Sequence, residues 1–346
     1  MPAAKPTRWQ AFLDKAYAVV KEFNRIDRNY ITPQKYNYAL MLQGTHTYER
    51  YTLRSNSGQT FTFAPKPSIK VGPYFGWRWI FLGWQVDVKS LRSDTRREFD
   101  LSLYSSHIGI DIFSRQTGKG YHIKSAYKGN DDYTKMLHGM DFDGIEVGIR
   151  GYNLYYIFNH KKFSYPAAFS QSTMQKRSAG SALMGIGYTH HKIKLNHDRL
   201  RSMVARQTNN EVLVDSSFNF NEVNYTDASI SGGYAYNYAF APNWLFAASL
   251  SAALGYKRSK AKVDRDLFNL PFRGFNFQNL NIDGVGRFGL VWNNMRWFAG
   301  TSVILHTYNY NKGKFSTNNT FGSFNVYAGL NFGERHSKHK KKKRQP

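Results

Sequence analysis

The stretch "SYPAAFSQSTMQKRSAGSALMGIGY", residues 164–188, gathers hydroxyls close to imidazoles: Ser170, Ser172, Ser178 and Ser181 precede His190. A serine activated by a histidine could act as the nucleophile of a membrane lipid or lipopolysaccharide hydrolase, given an orienting third group and an oxyanion donor. Spacing excludes a pair inside this stretch. Ser178 or Ser181 lies about ten residues along one extended strand from His190, roughly 30 Å. The base would have to come from another strand, such as His107 or His306. The same small side chains also suit a tightly folded segment, with Gln171, Gln175, Lys176 and Arg177 bonding to backbone or interior groups.

A second constellation interrupts otherwise apolar strands: Asp87, Asp111, Glu146, Arg150, Asp283 and Arg287. A charge facing lipid at mid-depth costs ~2–4 kcal/mol, so these side chains are expected on an interior face. Glu146/Arg150 and Asp283/Arg287 are each four apart, about 13 Å along a strand, so each must pair across strands. The expected result is a packed network of ion pairs and hydrogen bonds. The lining of a narrow pore is the alternative. Neither a metal nor a cofactor is expected. The 11 histidines are scattered and cysteine is absent. No glycine-rich loop links a strand to a helix in the manner of a phosphate cradle.

The chain of 346 residues carries a formal charge of +25, of which "ERHSKHKKKKRQP", residues 334–346, supplies +6. Such a balance suits nucleic acid or an anionic lipid surface. Nucleic-acid binders concentrate charge on a groove-reading element, whereas here the cations fall mostly between strands, so no nucleic acid is expected. Outer-membrane lipids, including lipopolysaccharide, are the expected partners, met by basic loops such as Arg92, Arg96, Arg97, Lys257 and Arg258; a protein partner is left open. No run approaches the ~18 apolar residues of a membrane helix. An exported chain would have lost its signal peptide before Met1.

The elements that must hold these groups are strands. Only residues 7–24 have helical periodicity, with Trp9, Phe12, Leu13, Ala16, Tyr17, Val20 and Phe23 on one face. They predict an N-terminal amphipathic, periplasmic helix within a lead-in of 1–35. From Tyr36 the period is two. Trp244, Phe246, Leu250, Leu254 and Tyr256 share one face, and Ser249, Ser251, Gly255 and Lys257 the other. Long strands with one apolar face, rich in Gly and aromatics, predict an all-β, antiparallel transmembrane barrel over 36–333. Twelve strands are placed, at 37–54, 66–78, 80–90, 98–115, 120–128, 143–158, 178–194, 225–240, 244–258, 277–292, 296–310 and 321–333. Short turns near 76–79, 117–120, 241–243 and 293–295 alternate with long loops. Trp77, Trp79, Trp84, Phe240, Trp244, Trp292 and Trp297 would form an aromatic girdle at the short-turn end.

That alternation places 159–177 at the short-turn, periplasmic end as a non-spanning segment; Pro166 would in any case break a ladder. Residues 163–177 are expected to plug the barrel, with Lys176 and Arg177 matched by Asp87, Asp111, Glu146 or Asp283. The tail 334–346 is expected to be disordered.

The motifs "NYITPQKYNYALML", "KVGPYFGWRWIFLGWQVDV", "FDLSLYSSHIGIDIF", "YNLYYIFNHKKFSYPAAFSQSTMQKRSAGS", "GYAYNYAFAPNW" and "VYAGLNFG" resemble the bacterial domain-of-unknown-function family 4421, from about Trp9 to Phe332. The resemblance implies an exported outer-membrane-type β-barrel of Bacteroidota in the bacterial outer membrane. It supplies no catalytic residues. Three roles follow in order: a filled-lumen scaffold or partner-binding barrel, a narrow small-solute channel, and the Ser/His hydrolase.

Overall fold

The computed structural model describes residues 26–77, 80–88, 97–117, 120–259, 280–312 and 315–334. The helix expected at 7–24, Trp79 and the tail beyond Glu334 lie outside them. The strands are β1 (Ile31–Pro33), β2 (Tyr36–Ser55), β3 (Gln59–Pro65), β4 (Ser68–Trp77), β5 (Ile80–Gly83), β6 (Val86–Asp87), β7 (Arg97–Tyr104), β8 (Ile108–Thr117), β9 (Tyr121–Lys128), β10 (Asp131–Asp132), β11 (Asp141–Phe142), β12 (Ile145–Ile157), β13 (Thr173–Gln175), β14 (Ala179–Leu195), β15 (Glu222–Ala241), β16 (Trp244–Ser259), β17 (Leu280–Asn293), β18 (Trp297–Lys312) and β19 (Phe315–Glu334). Short helices are α1 (Thr134–Leu137), α2 (Tyr165–Phe169) and α3 (His197–Gln207).

The architecture is all-β and antiparallel. One ladder runs β7–β8–β12–β14–β15–β16–β17–β18–β19–β2–β4–β5 and curls into a barrel wall. Its two ends meet between β5–β6 and β7. No ladder joins them among the described residues; the Lys70–Glu98 ion pair, 2.6 Å, reaches from β4 to β7 there.

Side-chain parity decides which face points where. On β15, Ile230, Tyr234, Tyr236, Tyr238 and Phe240 are exposed, while Tyr225, Asp227, Ala235 and Asn237 are buried. On β16, Leu250 and Leu254 are exposed and Ala247, Ser249 and Lys257 buried. The outer face is therefore apolar and the inner face mixed. Several inner positions are glycine because aromatic rings lie across them: a Cβ on Gly109 would overlap the Tyr155 ring, and one on Gly151 the Phe113 ring.

Two expected strands come out differently. Residues 98–115 form a hairpin, β7 and β8. Ser105 Oγ accepts the His107 and Ile108 backbone N–H groups at 3.3 and 2.9 Å, a serine turn that reverses the chain. Residues 120–128, expected in the wall, form β9 inside the long-loop end, paired with β3. Tyr121, Ile123 and Ala126 of β9 are buried, which a lipid-facing strand could not satisfy. Thr117–Gly120 is thus at the long-loop end, and Ser105–His107 is a short turn. Trp84 sits mid-wall, its N–H on Pro73 O at 3.1 Å, rather than in a girdle.

At the long-loop end the interior holds the largest apolar core. Tyr51, Leu53, Phe61, Phe63, Tyr121, Phe142, Ile145 and Phe218 pack there with Leu200, Met203 and Val204 of α3. The Asn196 side chain caps α3 by accepting the Arg199 N–H at 2.9 Å. A smaller core at the short-turn end joins Tyr104, Tyr155, Phe163, Tyr165 and Leu183.

Candidate functional site: the barrel lumen

Residues 163–175 fold into the short-turn end of the lumen. Pro166 opens α2, and β13 pairs with β1, so the N-terminal lead-in staples the segment in place. Phe163, Ser164, Tyr165, Ala167, Ala168, Ser170, Gln171 and Gln175 are buried. Most contacts to the wall are between neutral groups. Tyr165 OH donates to Ser249 Oγ at 2.9 Å, and Gln171 Nε2 donates to Tyr327 OH at 2.7 Å. Asn237 Nδ2 donates to Ser164 O at 2.8 Å. Gln175 ties the segment to itself through Lys162 O and Arg177 O, 2.7 and 2.8 Å.

Lys176 and Arg177 do not reach the four carboxylates expected to match them. Both are exposed. The Lys176 N–H bonds Tyr30 O at 2.7 Å, and the Arg177 guanidinium lies 6.0 Å from the Tyr30 ring. The physical reason is local: the cations stay in water at the barrel mouth, while the acids have other partners.

Those partners form two buried layers above the plug. Arg287 of β17 pairs with Asp111 of β8 across the lumen, and its guanidinium also faces Tyr165 OH at 3.4 Å and the Tyr155 ring at 5.4 Å. Ser102 Oγ donates to Asp111 at 2.7 Å. The second layer centres on Lys257, 2% exposed, between Asp283 at 2.8 Å and Asp227 at 3.7 Å. Asp283 also accepts the Asn309 N–H at 2.8 Å. Next comes an aromatic layer in which His191 stacks on Tyr225 at 4.5 Å and Tyr225 on Tyr310 at 4.2 Å. Further round the wall, buried Glu49 accepts from Thr117 and Tyr121 at 2.9 and 2.6 Å. Asp87 is in register with Lys70.

Glu146 and Arg150 correct the expected network. They face outward, because Ile145, Val147 and Ile149 take the inner positions of β12 to reach the long-loop core. Their in-register neighbours are Lys194 and His190 on β14, and Glu146 bonds Lys194 at 3.1 Å. Lys257, counted with the external loops, is interior instead. Its parity with Ser249, Ser251 and Gly255 was the available signal. Asp227, Arg115, Glu49 and Tyr165 were missed. Each sits at an inner parity position or in the plug, but sequence could not name its partner.

The serine and histidine candidates occupy separate places. Ser170 Oγ bonds Pro166 O at 3.3 Å and Ser172 Oγ at 3.2 Å. Ser178 Oγ accepts the Ala239 N–H at 3.0 Å, and Ser181 Oγ accepts the Asn159 N–H at 2.9 Å. His190 is on the outer face of β14, opposite to buried Ser181. His107 Nδ1 meets Ser106 Oγ at 2.7 Å, and its ring centroid lies 3.8 Å from that of His160, with the planes tilted by 33°. Among the described residues no group of His, Asp or Glu could hold a metal.

A family model for a domain of unknown function, DUF4421, matches residues 25–332. The chain belongs to this family. No curated protein matches it. Among solved structures it is similar to the Pseudomonas putida toluene transporter TodX, with 9% identity, 86% of this chain and 91% of that chain covered, and a TM-score of 0.26. Outer-membrane-expressed OmpT of Vibrio cholerae gives 8%, 86%, 99% and 0.26 in the same order. The Pseudomonas aeruginosa outer membrane protein OprG gives 9%, 87%, 98% and 0.25. In this DUF4421 chain, the buried charges Asp111, Asp227, Lys257, Asp283 and Arg287 converge in the lumen.

Proposed function

We propose that this chain is a barrel of the bacterial outer membrane whose lumen is filled, and that it serves as a scaffold or partner-binding protein. The observation that carries this reading is that the lumen is packed from both ends: residues 163–175 at the short-turn end and the α3 and β9 core at the other.

The outer face supports the membrane setting. Ile186 and Ile230 are 60% exposed and Ile282 68%, within a continuous apolar belt that water would not favour. On β15 the belt runs from Ala228 to Phe240. Thirteen residues make about 43 Å of strand, or about 30 Å of depth at ~45° tilt, the thickness of a bilayer core. Twelve strands complete the wall, with β5–β6 against β7 as the last contact. The short-turn end, where β2 begins at Tyr36 and β19 ends at Glu334, lies in the periplasm and the long loops lie outside. Above the belt, Arg50, Arg54, Arg150, Lys192 and Arg258 face outward at the level of lipid phosphates, where lipopolysaccharide is the partner.

Vesicles carrying the folded chain should retain an entrapped small dye as long as protein-free vesicles do. Rapid dye release would replace the filled-lumen reading by the small-solute channel. The hydrolase reading gains no support from the serine and histidine positions described above.

A further inference from the structure

Between the inner faces of β2, β4, β18 and β19 and the edge of β7 that faces β5–β6 lies a cleft of about 700 Å³, floored by Phe169, Ser170 and Gln171 of the plug and bordered by Phe99 and Leu101. One wall is an uncharged, prearranged network. Asn325 Oδ1 accepts from Thr45 Oγ1 at 2.8 Å and Gln43 Nε2 at 3.2 Å, and Asn325 Nδ2 donates to Ser302 Oγ at 3.2 Å. Gln85 Nε2 donates to Thr45 Oγ1 at 2.8 Å. The facing wall presents Asp100, tied to Arg115 at 3.0 Å with its side chain still 49% exposed, and Glu98, tied to Lys70. The Tyr74 and Tyr327 rings complete the lining.

We propose that this cleft binds a neutral polyhydroxylated ring, a mono- or disaccharide, either free or as the headgroup of a glycolipid. Amide and hydroxyl groups both donate and accept, carboxylate oxygens accept from vicinal hydroxyls, and aromatic faces pack on ring C–H groups. The lining cations Lys70 and Arg97 nearly balance Asp87, Glu98 and Asp100, so an ion of either sign meets a like charge. The volume falls in the range of ~300–1,000 Å³ that holds small molecules. This site goes beyond the filled-lumen reading and needs no open pore.

The test uses the folded full chain in amine-oxide micelles, whose headgroup carries no sugar. Saturation-transfer NMR with maltose reads the free saccharide, with choline and acetate as ionic comparators. Co-elution of monoglucosyl diacylglycerol with the chain reads the headgroup form. Maltose or the glycolipid should bind and the ions should not. Asn325→Leu and Asp100→Asn should each weaken binding about tenfold, the loss of one well-placed hydrogen bond. Arg201→Ala on the exposed face of α3 should leave it unchanged. If either cleft variant loses the heat-dependent gel shift of a folded barrel, Gln85→Ala replaces it. Binding of maltose alone assigns a free saccharide; binding of the glycolipid alone assigns a headgroup. The proposal is overturned if neither probe binds, if binding survives the cleft substitutions, or if choline or acetate binds as well.

Discussion

The Arg287–Asp111 pair shows how the lumen is held at the level of single residues. Both side chains are buried, so each depends on the other to stay charged away from water. Arg287→Met alone should cost about 3–5 kcal/mol in urea unfolding from micelles, because Asp111 is left unpaired. The double variant with Asp111→Leu should regain most of that loss. A single variant as stable as the parent would contradict the pairing. His107, in the short turn outside the strands, gives a pH test. Burial, with the His160 ring beside it, pushes its pKa down to about 4. The unfolded chain takes up that proton near pH ~6.5. Between these values the unfolded state binds more protons, so this contribution is intact above ~6.5 and is lost as pH falls toward 4. The unfolding midpoint should therefore drop more over that window in the parent than in His107→Gln; equal slopes would remove the effect. Parity made the inner positions of Asp111, Asp283 and Arg287 legible from sequence. It misled at Glu146 and Arg150, since charge was taken as a marker of the interior. Polar side chains also belong on the outer face wherever a strand outruns the apolar belt.

Among the elements, the plug and the long-loop cap make separate predictions. Ala168 is fully buried against Leu245, Ala247 and Val291. A thiol at Ala168→Cys should react with a bulky reagent far more slowly in the folded barrel than after unfolding. Equal rates would mean that 163–175 is a free turn. At the other end, Asp215 latches the loop after α3 to the β2–β3 hairpin: it accepts from Ser57 Oγ, and from the Ser217 N–H at 2.7 Å. Gln59 closes the same latch, with Nε2 on Leu213 O at 3.0 Å. These hydrogen bonds, Ser57's first, hold the Asp215 pKa down to about 2. A depressed carboxylate contributes stability that is present above its usual value of 3.8 and is lost as pH falls through 2. Asp215→Ala should speed proteolysis within 208–219 at neutral pH while leaving the heat-dependent gel shift of the barrel intact. Unchanged cleavage would show that the latch does not hold the loop. The hairpin at Ser105–His107 was readable: outward residues switch from odd (Phe99) to even (Ile108) numbers across it. The place of β9 was not, because Tyr121, Ile123 and Ser125 keep the same alternation in a cap as in a wall.

For the whole molecule, periodicity of two, long strands and one apolar face were enough to read an all-β, antiparallel architecture. Which charges meet across the lumen was not readable, since Asp111 and Arg287 are 176 residues apart and only the curling of the wall from β8 to β17 brings them together. Lumen packing is the central claim of the proposed reading: in it, the plug, the two ionic layers and the long-loop core close the path from one mouth to the other, and the cleft is a chamber beside it. Planar-bilayer recording of the purified, folded chain tests this most directly. The account predicts insertion without discrete current steps at any applied voltage, at the salt concentrations where open barrels conduct. Reproducible steps of uniform size would show a continuous aqueous path and contradict it.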